Sequence, residues 1–407
     1  MRHRSLLILT SALSVGALTL TACGSRGDDS SSSDSKTTTV VIGVDAPLSG
    51  ANSATGLGIL GGAKLAVADA NKNKTVSGVT FKIKELDDKA QPATGQQNAT
   101  TLVADEDVLG VVGPLNSGVA QSMQQVFNSA NLVEISPSNT NPALTQGANW
   151  STGKKVRPYK TYFRTATTDA LQGAFAADYA YNTIGKKKVF VVDDKQTYGA
   201  GLAAIFKDKF VALGGKAVGT DHVNAGDTDF STLVTKIKNS GADLLYYGGQ
   251  YDESSLITKQ LKAAGSKIPL FGGDGMFSDT YITNGGAATA GDYVTSVGVP
   301  VTTLPAAKTF IADYKASGLK GDYQTYGGYS YDATTAIIKA VGEVVKDGKI
   351  PSDARAQITA AVQKTDFDGI AGHVSFDEFG DTTNKQLTVY EVKDGKWAAV
   401  KSGTYTG

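Results

Sequence analysis

Apolar and polar positions alternate along the chain with two different periods. Short runs rich in Val, Ile and Leu, such as those within 39–47 and 108–114, predict buried strands. The segments between these runs carry apolar residues at the spacing of a helix. Because strand and helix follow each other repeatedly, the chain predicts an α/β fold with parallel sheets covered on both faces.

The βα pattern occurs twice. In the first set we predict strands at 39–47, 80–88, 108–114 and 132–138, with helices at 62–71, 96–105 and 119–130. Residues 145–159 break the rhythm and are predicted as a loop. In the second set we predict strands at 187–194, 216–223, 242–250 and 268–275, with helices at 201–213, 230–239 and 254–264. Later come helices at 306–317 and 329–345 and a hairpin at 386–400 with Asp394-Gly395 in its turn. We infer two doubly wound parallel-sheet lobes.

Length and charge agree with two lobes and narrow the choice of partners. A chain of 407 residues is too long for one ordinary core. Its 39 basic and 39 acidic side chains cancel, so no global field attracts nucleic acid, and we expect no nucleic-acid partner. Cys23 is the only cysteine, which rules out an intrachain disulfide.

The start of the chain differs from the rest. A basic MRHR is followed by an apolar, Ser- and Thr-containing segment, which predicts a signal peptide over 1–22. LTAC, ending at Cys23, resembles a bacterial lipobox and implies lipidation of that cysteine; the alternative is an ordinary signal peptide with an incidental cysteine. The Ser-rich residues 23–38 predict a flexible tether. We therefore expect export and anchoring at the outer side of the cytoplasmic membrane.

Motifs for catalysis, nucleotides and metals are weak. GLGILG (56–61) matches G-x-G-x-x-G but begins about eleven residues after its strand, so close helix packing is favoured over a dinucleotide site. The phosphate-loop-like GANWSTGKK has the wrong spacing, and no G-x-S-x-G occurs. His3, His222 and His373 are far apart, and the acid pairs ELDD and VVDD are expected to cap turns. We expect no enzyme activity, no cofactor and no metal site.

Small polar residues cluster where strands end. Ligands of open parallel sheets bind beyond the carboxyl ends of the strands. Ser117 and Thr140 lie at two such ends, where helix N–H groups and hydroxyls can hold a carboxylate. Asp274 lies between glycines in GGDG and can pair with an ammonium group. Together these features predict a site for a zwitterion, an α-amino acid.

The landmarks VVIGVDAPLSG, GGAKLAVADAN, DDKQTYGAGLA, DFSTLVTKIK, ADLLYYGG and VSFDEFGD, in this order, resemble one family over almost the whole mature chain. It is the type I periplasmic solute-binding proteins of ABC transporters, in particular the leucine/isoleucine/valine-binding group. The resemblance implies a three-strand hinge with crossings near Thr168, Val299 and Thr382. It implies an N-terminal lobe of 39–168 plus 299–381 and a C-terminal lobe of 169–298 plus 382–407.

The resemblance also implies which positions contact the ligand. Ser117 and Thr140 would bind the α-carboxylate, and Asp274 the α-amino group. The other implied contacts line the same edge, the second lobe or the side-chain pocket, and they are Leu115, Asn116, Ser138, Asn139, Tyr198, Gln250 and Tyr326.

Some positions depart from the leucine-binding pattern. Thr55 and Gln250 replace aromatic residues, and Asp274 is shorter than the usual Glu. Asn116 and Ser138 make the pocket more polar, whereas leucine calls for an apolar pocket. A branched-chain amino acid is the first expectation, another amino acid the second, and an amide or urea-like solute the third.

We thus expect the solute-binding component of an ABC importer. Two lobes would close on the amino acid and deliver it to a membrane permease served by its ATPase, with the lipid on Cys23 keeping this monomeric receptor close. An alternative is a sensor of the same fold without a permease. A secreted α/β enzyme is disfavoured because no nucleophile or general base with a partner is found.

Overall fold

The strands of the chain form three sheets in the computed structural model, which describes residues 37–407. The first sheet has five strands, the second seven and the third two. The strands of the first sheet lie within 38–164, and those of the second within 188–297 and 386–404. The predicted signal peptide, Cys23 and most of the predicted tether lie outside the described residues.

The first sheet is the doubly wound unit expected from the first βα set. Its parallel strands, in the spatial order β2-β1-β3-β4-β5, are β1 (Thr38–Ala46), β2 (Val79–Asp87), β3 (Val108–Val112), β4 (Glu134–Ser136) and β5 (Tyr162–Arg164). The helices of this segment are α1 (Ser53–Lys72), α2 (Pro92–Val103), α3 (Ser117–Ser129) and the short α4 (Ala143–Gln146). The central strand β3 is buried along its whole length because both faces of the sheet are covered.

The second sheet begins as a similar parallel unit. Its first five strands, in the order β7-β6-β8-β9-β10, are β6 (Lys188–Asp193), β7 (Lys216–His222), β8 (Leu244–Gly248), β9 (Leu270–Gly272) and β10 (Tyr293–Val297). The helices are α5 (Asp169–Asp178), α6 (Thr197–Ala212), α7 (Ser231–Asn239), α8 (Tyr251–Ala263) and α9 (Asp279–Gly285). The edge strand β7 is largely exposed, which fits its polar sequence.

The C-terminal part of the chain completes both units. It contains α10 (Lys308–Ala316), α11 (Gly327–Val344), α12 (Ala354–Val362), the two-stranded sheet of β11 (Asp366–Asp368) and β12 (His373–Ser375), and the hairpin of β13 (Gln386–Lys393) and β14 (Lys396–Thr404). β13 pairs antiparallel to β10, so the predicted hairpin adds antiparallel strands to the parallel part of the second sheet. The pairing of β13 with β14 is antiparallel because the two-residue turn at Asp394-Gly395, where both residues have positive φ, joins only antiparallel strands.

Several elements were not predicted. The strands β5 and β10 and the helices α5, α9 and α12 fall in segments without an assignment. Helix α5 is buried over most of its surface and rich in alanine, so it has little polar face to reveal a helical period. Helix α1 starts at Ser53, nine residues before the predicted start at 62. The prediction began too late because the glycine-rich GLGILGG has low intrinsic helix propensity.

The glycine motif of α1 serves helix packing. A Cβ atom at Gly58 would lie 2.0 Å from the carbonyl oxygen of Asp322, and one at Gly62 would lie 2.1 Å from that of Gly327. At Gly61 a Cβ would meet the Tyr314 ring at 2.6 Å. Only glycine permits this approach of α1 to the segment before α11, which agrees with the packing interpretation of the motif.

The predicted division into lobes at 168/169, 298/299 and 381/382 stays a prediction, although the strands of the two sheets fall on its two sides. Within residues 37–407, the apolar helices are all too short or too polar to cross a membrane.

Candidate functional site

Part of the predicted site lies at one cleft, whose lining includes Ser117 but neither Thr140 nor Asp274. The cleft has a volume of about 400 Å³ and lies between segments that follow strands of the first and second sheets. Its walls include four of the ten predicted residues, Asn116, Ser117, Tyr198 and Gln250. Thr140, Asp274 and Tyr326 are buried, being at most 3 % exposed.

Hydrogen bonds join the two sides of the cleft. The backbone N–H of Asn52 donates to Asp252 Oδ2 at 3.0 Å. Asn141 Nδ2, after β4, donates to the carbonyl oxygen of Thr197 at the start of α6 over 2.7 Å. Segments of the two sheets are therefore in direct contact at the edges of the cleft.

The loop after β3 is held by side chains that follow β4. Gly113 has φ +117°, and a Cβ there would lie 2.0 Å from the Asp45 carbonyl oxygen. The carbonyl oxygen of Leu115 accepts hydrogen bonds from Asn139 Nδ2 at 2.7 Å and Ser138 Oγ at 3.2 Å. Three predicted site residues, Leu115, Ser138 and Asn139, thus support the shape of this loop.

Helix α3 begins directly after that loop. Ser117 is its first residue and is 2 % exposed, and Asn116 precedes it without capping the helix through its side chain. The first N–H groups of a helix lack intrahelical partners and carry partial positive charge. The start of α3 can therefore accept an anionic group from the cleft.

Asp274 is the centre of a hydrogen-bonded group of side chains. It follows β9 and is 1 % exposed. Its Oδ1 accepts from Tyr198 Oη at 2.7 Å and Gln172 Nε2 at 3.0 Å, and its Oδ2 accepts from Tyr326 Oη at 2.6 Å. All three donors are uncharged. Burial raises the pKa of Asp274, and the bonds from Tyr326, Tyr198 and Gln172 oppose that rise.

A second buried acid, Asp169, stands beside this group and was missed in the sequence. It is the first residue of α5, is fully buried, and donates its backbone N–H to the Thr140 carbonyl oxygen at 2.8 Å. Within the described residues, neither Asp169 Oδ2 nor Thr140 Oγ1 forms a hydrogen bond of normal geometry. Burial, and then the charge of Asp274, raise the pKa of Asp169 well above its usual value.

Gln172 links the two acids. Its Nε2 donates to Asp169 Oδ1 at 3.3 Å and to Asp274 Oδ1, while its Oε1 accepts from the backbone N–H of Asp274 at 2.9 Å. Gln172 and Asp169 lie in α5, the helix without a sequence prediction. The one sequence signal for Asp169 as a site residue was its position directly after the predicted crossing at Thr168.

A buried ion pair lies close to the same loops. Arg164 Nε donates to Asp381 Oδ1 at 2.6 Å, and both side chains are almost fully buried. The Arg164 guanidinium also donates to the carbonyl oxygens of Asn139 and Asn141. Burial alone would raise the pKa of Asp381, but the Arg164 charge and hydrogen bonds from Gln146 and Arg164 lower it. This pair fixes the loop after β4.

The remaining motifs have structural partners. Asp88 Oδ1 accepts from the Ala90 N–H and Asp194 Oδ1 from the Gln196 N–H, so the acids of ELDD and VVDD cap turns as expected. His373 contacts the exposed Asp368. Across 37–407, no group of His, Cys, Asp and Glu could hold a metal ion.

A larger groove, about 640 Å³, lies around the start of α12, away from this chemistry. Its Arg355 already donates to the carbonyl oxygens of Val103, Asp105 and Val108. We therefore take the polar cleft, and not the larger groove, as the candidate site.

Two α/β units that meet at a polar cleft, with buried acids beneath it, define a protein that binds a small solute. The chain belongs to the periplasmic binding protein family, whose family model matches residues 39–396. The family and the type I fold expected from the landmarks are confirmed. Members of this family are solute-binding proteins and not enzymes, and membership indicates an exported protein.

Individual relatives support this assignment. The chain is similar to the Leu/Ile/Val-binding protein homolog 3 of Brucella melitensis, with 33 % identity over 362 residues, 88 % of this chain and 92 % of that protein. It is similar to the structure of the branched-chain amino acid transporter substrate-binding protein LivJ of Streptococcus pneumoniae in complex with isoleucine. There the TM-score is 0.79 and the identity 26 %, over 90 % of this chain and 99 % of that chain.

A third relative shares the fold alone. It is an ABC transporter solute-binding protein of R. palustris in complex with benzoate, with a TM-score of 0.78 and 20 % identity, over 90 % of this chain and 97 % of that chain. Relatives of this fold thus bind solutes of different chemistry.

Proposed function

We propose that this protein captures a free α-amino acid as the solute-binding component of an ABC importer. The observation that carries the proposal is the group around Asp274. A fully buried carboxylate is surrounded by three uncharged donors, and none of the ion pairs formed by residues 37–407 includes it. An ammonium group of the ligand supplies the missing charge.

The energetics favour a cationic partner there. Burying a carboxylate without a counter-charge costs several kcal/mol, and Asp169 adds a second buried acid nearby. Each charge-assisted hydrogen bond from an ammonium contributes about 1.5–3 kcal/mol. Burial raises the pKa of both acids, and a bound ammonium would lower those pKa values again.

The opposite end of the ligand faces the start of α3. A carboxylate there accepts bonds from the helix N-terminal N–H groups and from the Ser117 hydroxyl. Thr140 Oγ1, which is buried beside the Asp169 carboxyl without a hydrogen bond of normal geometry in the described chain, supplies another donor. Tyr198 and Gln250 complete the site from the second-sheet side.

The ligand head group separates the candidate solutes. The relatives above bind isoleucine or benzoate, and both carry a carboxylate. Benzoate has no cation to offer to Asp274 and Asp169, so those acids favour an α-amino acid. The names of two Leu/Ile/Val-binding relatives support a branched-chain amino acid ahead of other amino acids, and an amide or urea-like solute comes last.

Delivery follows from the family. We propose that two lobes, 39–168 plus 299–381 and 169–298 plus 382–407, close on the ligand about the three crossings and dock on a permease served by its ATPase. A lipid on Cys23 would hold this monomer at the membrane and raise its local concentration. A sensor role without a permease is the alternative, and the genes beside this one separate the two.

Ligand-dependent melting tests the proposal. We expect at least one of the twenty L-amino acids to raise the melting temperature, because it binds only the folded state. In calorimetry, Asp274→Asn should weaken the affinity for that amino acid by about 100-fold, or about 3 kcal/mol. Asp279→Asn, which changes an exposed acid, is the matched control. No response to any amino acid, or full affinity in Asp274→Asn, contradicts the proposal.

A further inference from the structure

The cleft holds more acids than the α-amino group requires. Asp194, Asp252 and Glu253 line it on the second-sheet side, and Lys89 is the one basic residue among its lining residues. Asp194 and Glu253 are 1 % and 5 % exposed. The lining has few large apolar side chains, which makes it a poor match for an aliphatic ligand side chain.

Each of these acids is oriented by a backbone N–H of another residue. Gln196 N donates to Asp194 Oδ1 at 2.9 Å, and Gly226 N donates to Glu253 Oε1 at 2.7 Å. Asp252 Oδ2 accepts from the N–H of Asn52. Backbone bonds fix the carboxylates but bring no positive charge, and the ion pairs within 37–407 involve other acids.

The pKa values of two of these acids are raised, and no cation of residues 37–407 offsets the effect of burial. Burial, and to a lesser extent the charge of Glu253, raises the pKa of Asp194 to about 7. Burial also raises the pKa of Glu253, with Asp252 contributing. Lys89, the nearby base of the lining, does not reverse either rise.

An independent observation concerns two amide side chains of the cleft. Asn52 is 5 % exposed and has φ +61°, and its Oδ1 is buried without a hydrogen-bond partner in the described chain. Asn116 Oδ1, in another segment of the cleft lining, is also buried and lacks such a partner. Both atoms are acceptors, so a ligand group that donates several N–H bonds satisfies them.

We propose that these residues form a side-chain subsite for a cationic nitrogen group, which makes the ligand a basic α-amino acid. The inference rests on the proposed function, because it takes the amino-acid head group to lie at Asp274 and the start of α3. A guanidinium or ammonium group offers positive charge to Asp194, Asp252 and Glu253 and donors to the amides of Asn52 and Asn116. A branched aliphatic side chain would remove the same groups from water without offering them a hydrogen bond or a positive charge.

Calorimetry with four probes tests the subsite. L-arginine, L-lysine, L-glutamine and L-leucine are titrated into the unmodified protein. We expect arginine or lysine to bind at least about tenfold more tightly than leucine, since charge-assisted bonds exceed neutral contacts in this lining. Tighter binding of leucine than of both basic amino acids overturns the proposal, and tighter binding of glutamine overturns its charge requirement.

Isosteric variants assign the effect to named residues. Glu253→Gln and Asp194→Asn each keep the oxygen that accepts the backbone N–H, so they should retain the local fold. We expect each to weaken binding of the basic amino acid by about tenfold and to leave L-alanine binding within about twofold. Asp208→Asn, an exposed acid on α6, is the control. If either variant fails to melt cooperatively, Asp252→Asn replaces it in the comparison. Equal affinity of all variants for the basic amino acid overturns the subsite.

L-alanine distinguishes a failure of the side-chain subsite from a failure of the proposed function. It has the α-amino and α-carboxyl groups but no side chain to reach the acids. If alanine or leucine binds through Asp274 while arginine and lysine do not bind, the subsite is wrong and the proposed function stands. If no α-amino acid binds, the proposed function fails and the subsite fails with it.

Discussion

Asp381 and Asp274 are both buried, at 4 % and 1 % exposure, yet their pKa values move in opposite directions. Asp381 has a resident cation, Arg164 at the end of β5, and the Arg164 guanidinium also bonds the loop after β4. Asp274 has three uncharged donors instead. The difference separates a buried charge that stabilises the fold from one that is available to a ligand, although both look alike as buried aspartates.

The largest effect on unfolding stability is expected at Asp381, the acid that is paired with Arg164. Asp381→Asn leaves the Arg164 guanidinium buried without its counter-charge and should lower the free energy of unfolding by about 3–5 kcal/mol. Asp274→Asn removes a charge that has no partner in the fold, so unfolding stability should stay equal or rise. Urea denaturation of both variants measures the contrast. Equal losses in the two variants would remove the distinction between the two acids.

A third buried site, formed by Asp45 and Asp88, extends the comparison to pH. Asp45 and Asp88 lie at the ends of β1 and β2, are fully buried, and each has one carboxylate oxygen without a partner in the described chain. Burial raises the pKa of Asp88 to about 6 and raises that of Asp45 well above its usual value.

The sign of the pH effect follows from these shifts. A group whose pKa is raised by folding contributes stability below its unfolded pKa, near 4, and loses it as the pH rises through the folded value. Asp381, with a lowered pKa, contributes above pH 4 and loses its contribution as the pH falls. We therefore expect unfolding stability to decline as the pH rises through about 6.

Asp88→Asn tests this expectation. It should flatten the decline by at most about 3 kcal/mol, the equivalent of two pKa units. Urea denaturation from pH 4 to 8 provides the measurement, with Asp353→Asn, an exposed acid, as the control. An unchanged profile in Asp88→Asn would show that this carboxyl does not titrate as its burial implies.

The donors around Asp274 give a smaller test. Tyr326→Phe removes the hydroxyl that donates to Asp274 Oδ2 and should weaken amino-acid binding by about 1.5–3 kcal/mol. Tyr329→Phe changes a neighbouring tyrosine that makes no such bond to Asp274 and should leave affinity unchanged. Calorimetry compares the two variants. A loss in Tyr329→Phe as large as in Tyr326→Phe would point to packing as the cause.

The smallest effect is expected at Thr140. Thr140→Val removes a buried hydroxyl whose contact with the Asp169 carboxyl lacks normal hydrogen-bond geometry within residues 37–407, so stability without ligand should change by less than about 1 kcal/mol. Affinity should fall by about 1 kcal/mol, because the ligand loses one hydrogen bond. Melting curves with and without the amino acid report both quantities. A stability loss without an affinity loss would assign the hydroxyl to the fold.

The chain pattern alone determined much of the framework. Strands such as β1, β3 and β8 are continuous apolar runs, and the Asp394-Gly395 turn specifies a hairpin, because these signals depend on residues close in sequence. The rule that ligands lie beyond strand ends drew attention to Ser117, Thr140 and Asp274. The sequence did not reveal that α1 starts at Ser53, because glycines are poor helix formers. Their role became clear only from the close packing around them.

Only the tertiary structure decided which polar residues have partners. Arg164 and Asp381 are 217 positions apart, so no local pattern joins them, and Ser138 and Asn139 proved to bond to the loop after β3. Asp169 and Gln172 lie on a helix whose sequence shows no clear helical period of apolar residues. They become candidate site residues only because the fold buries them beside Asp274. The physical reason is that burial and charge pairing are sums over neighbours from the whole chain, whereas periodicity records only the few residues on either side.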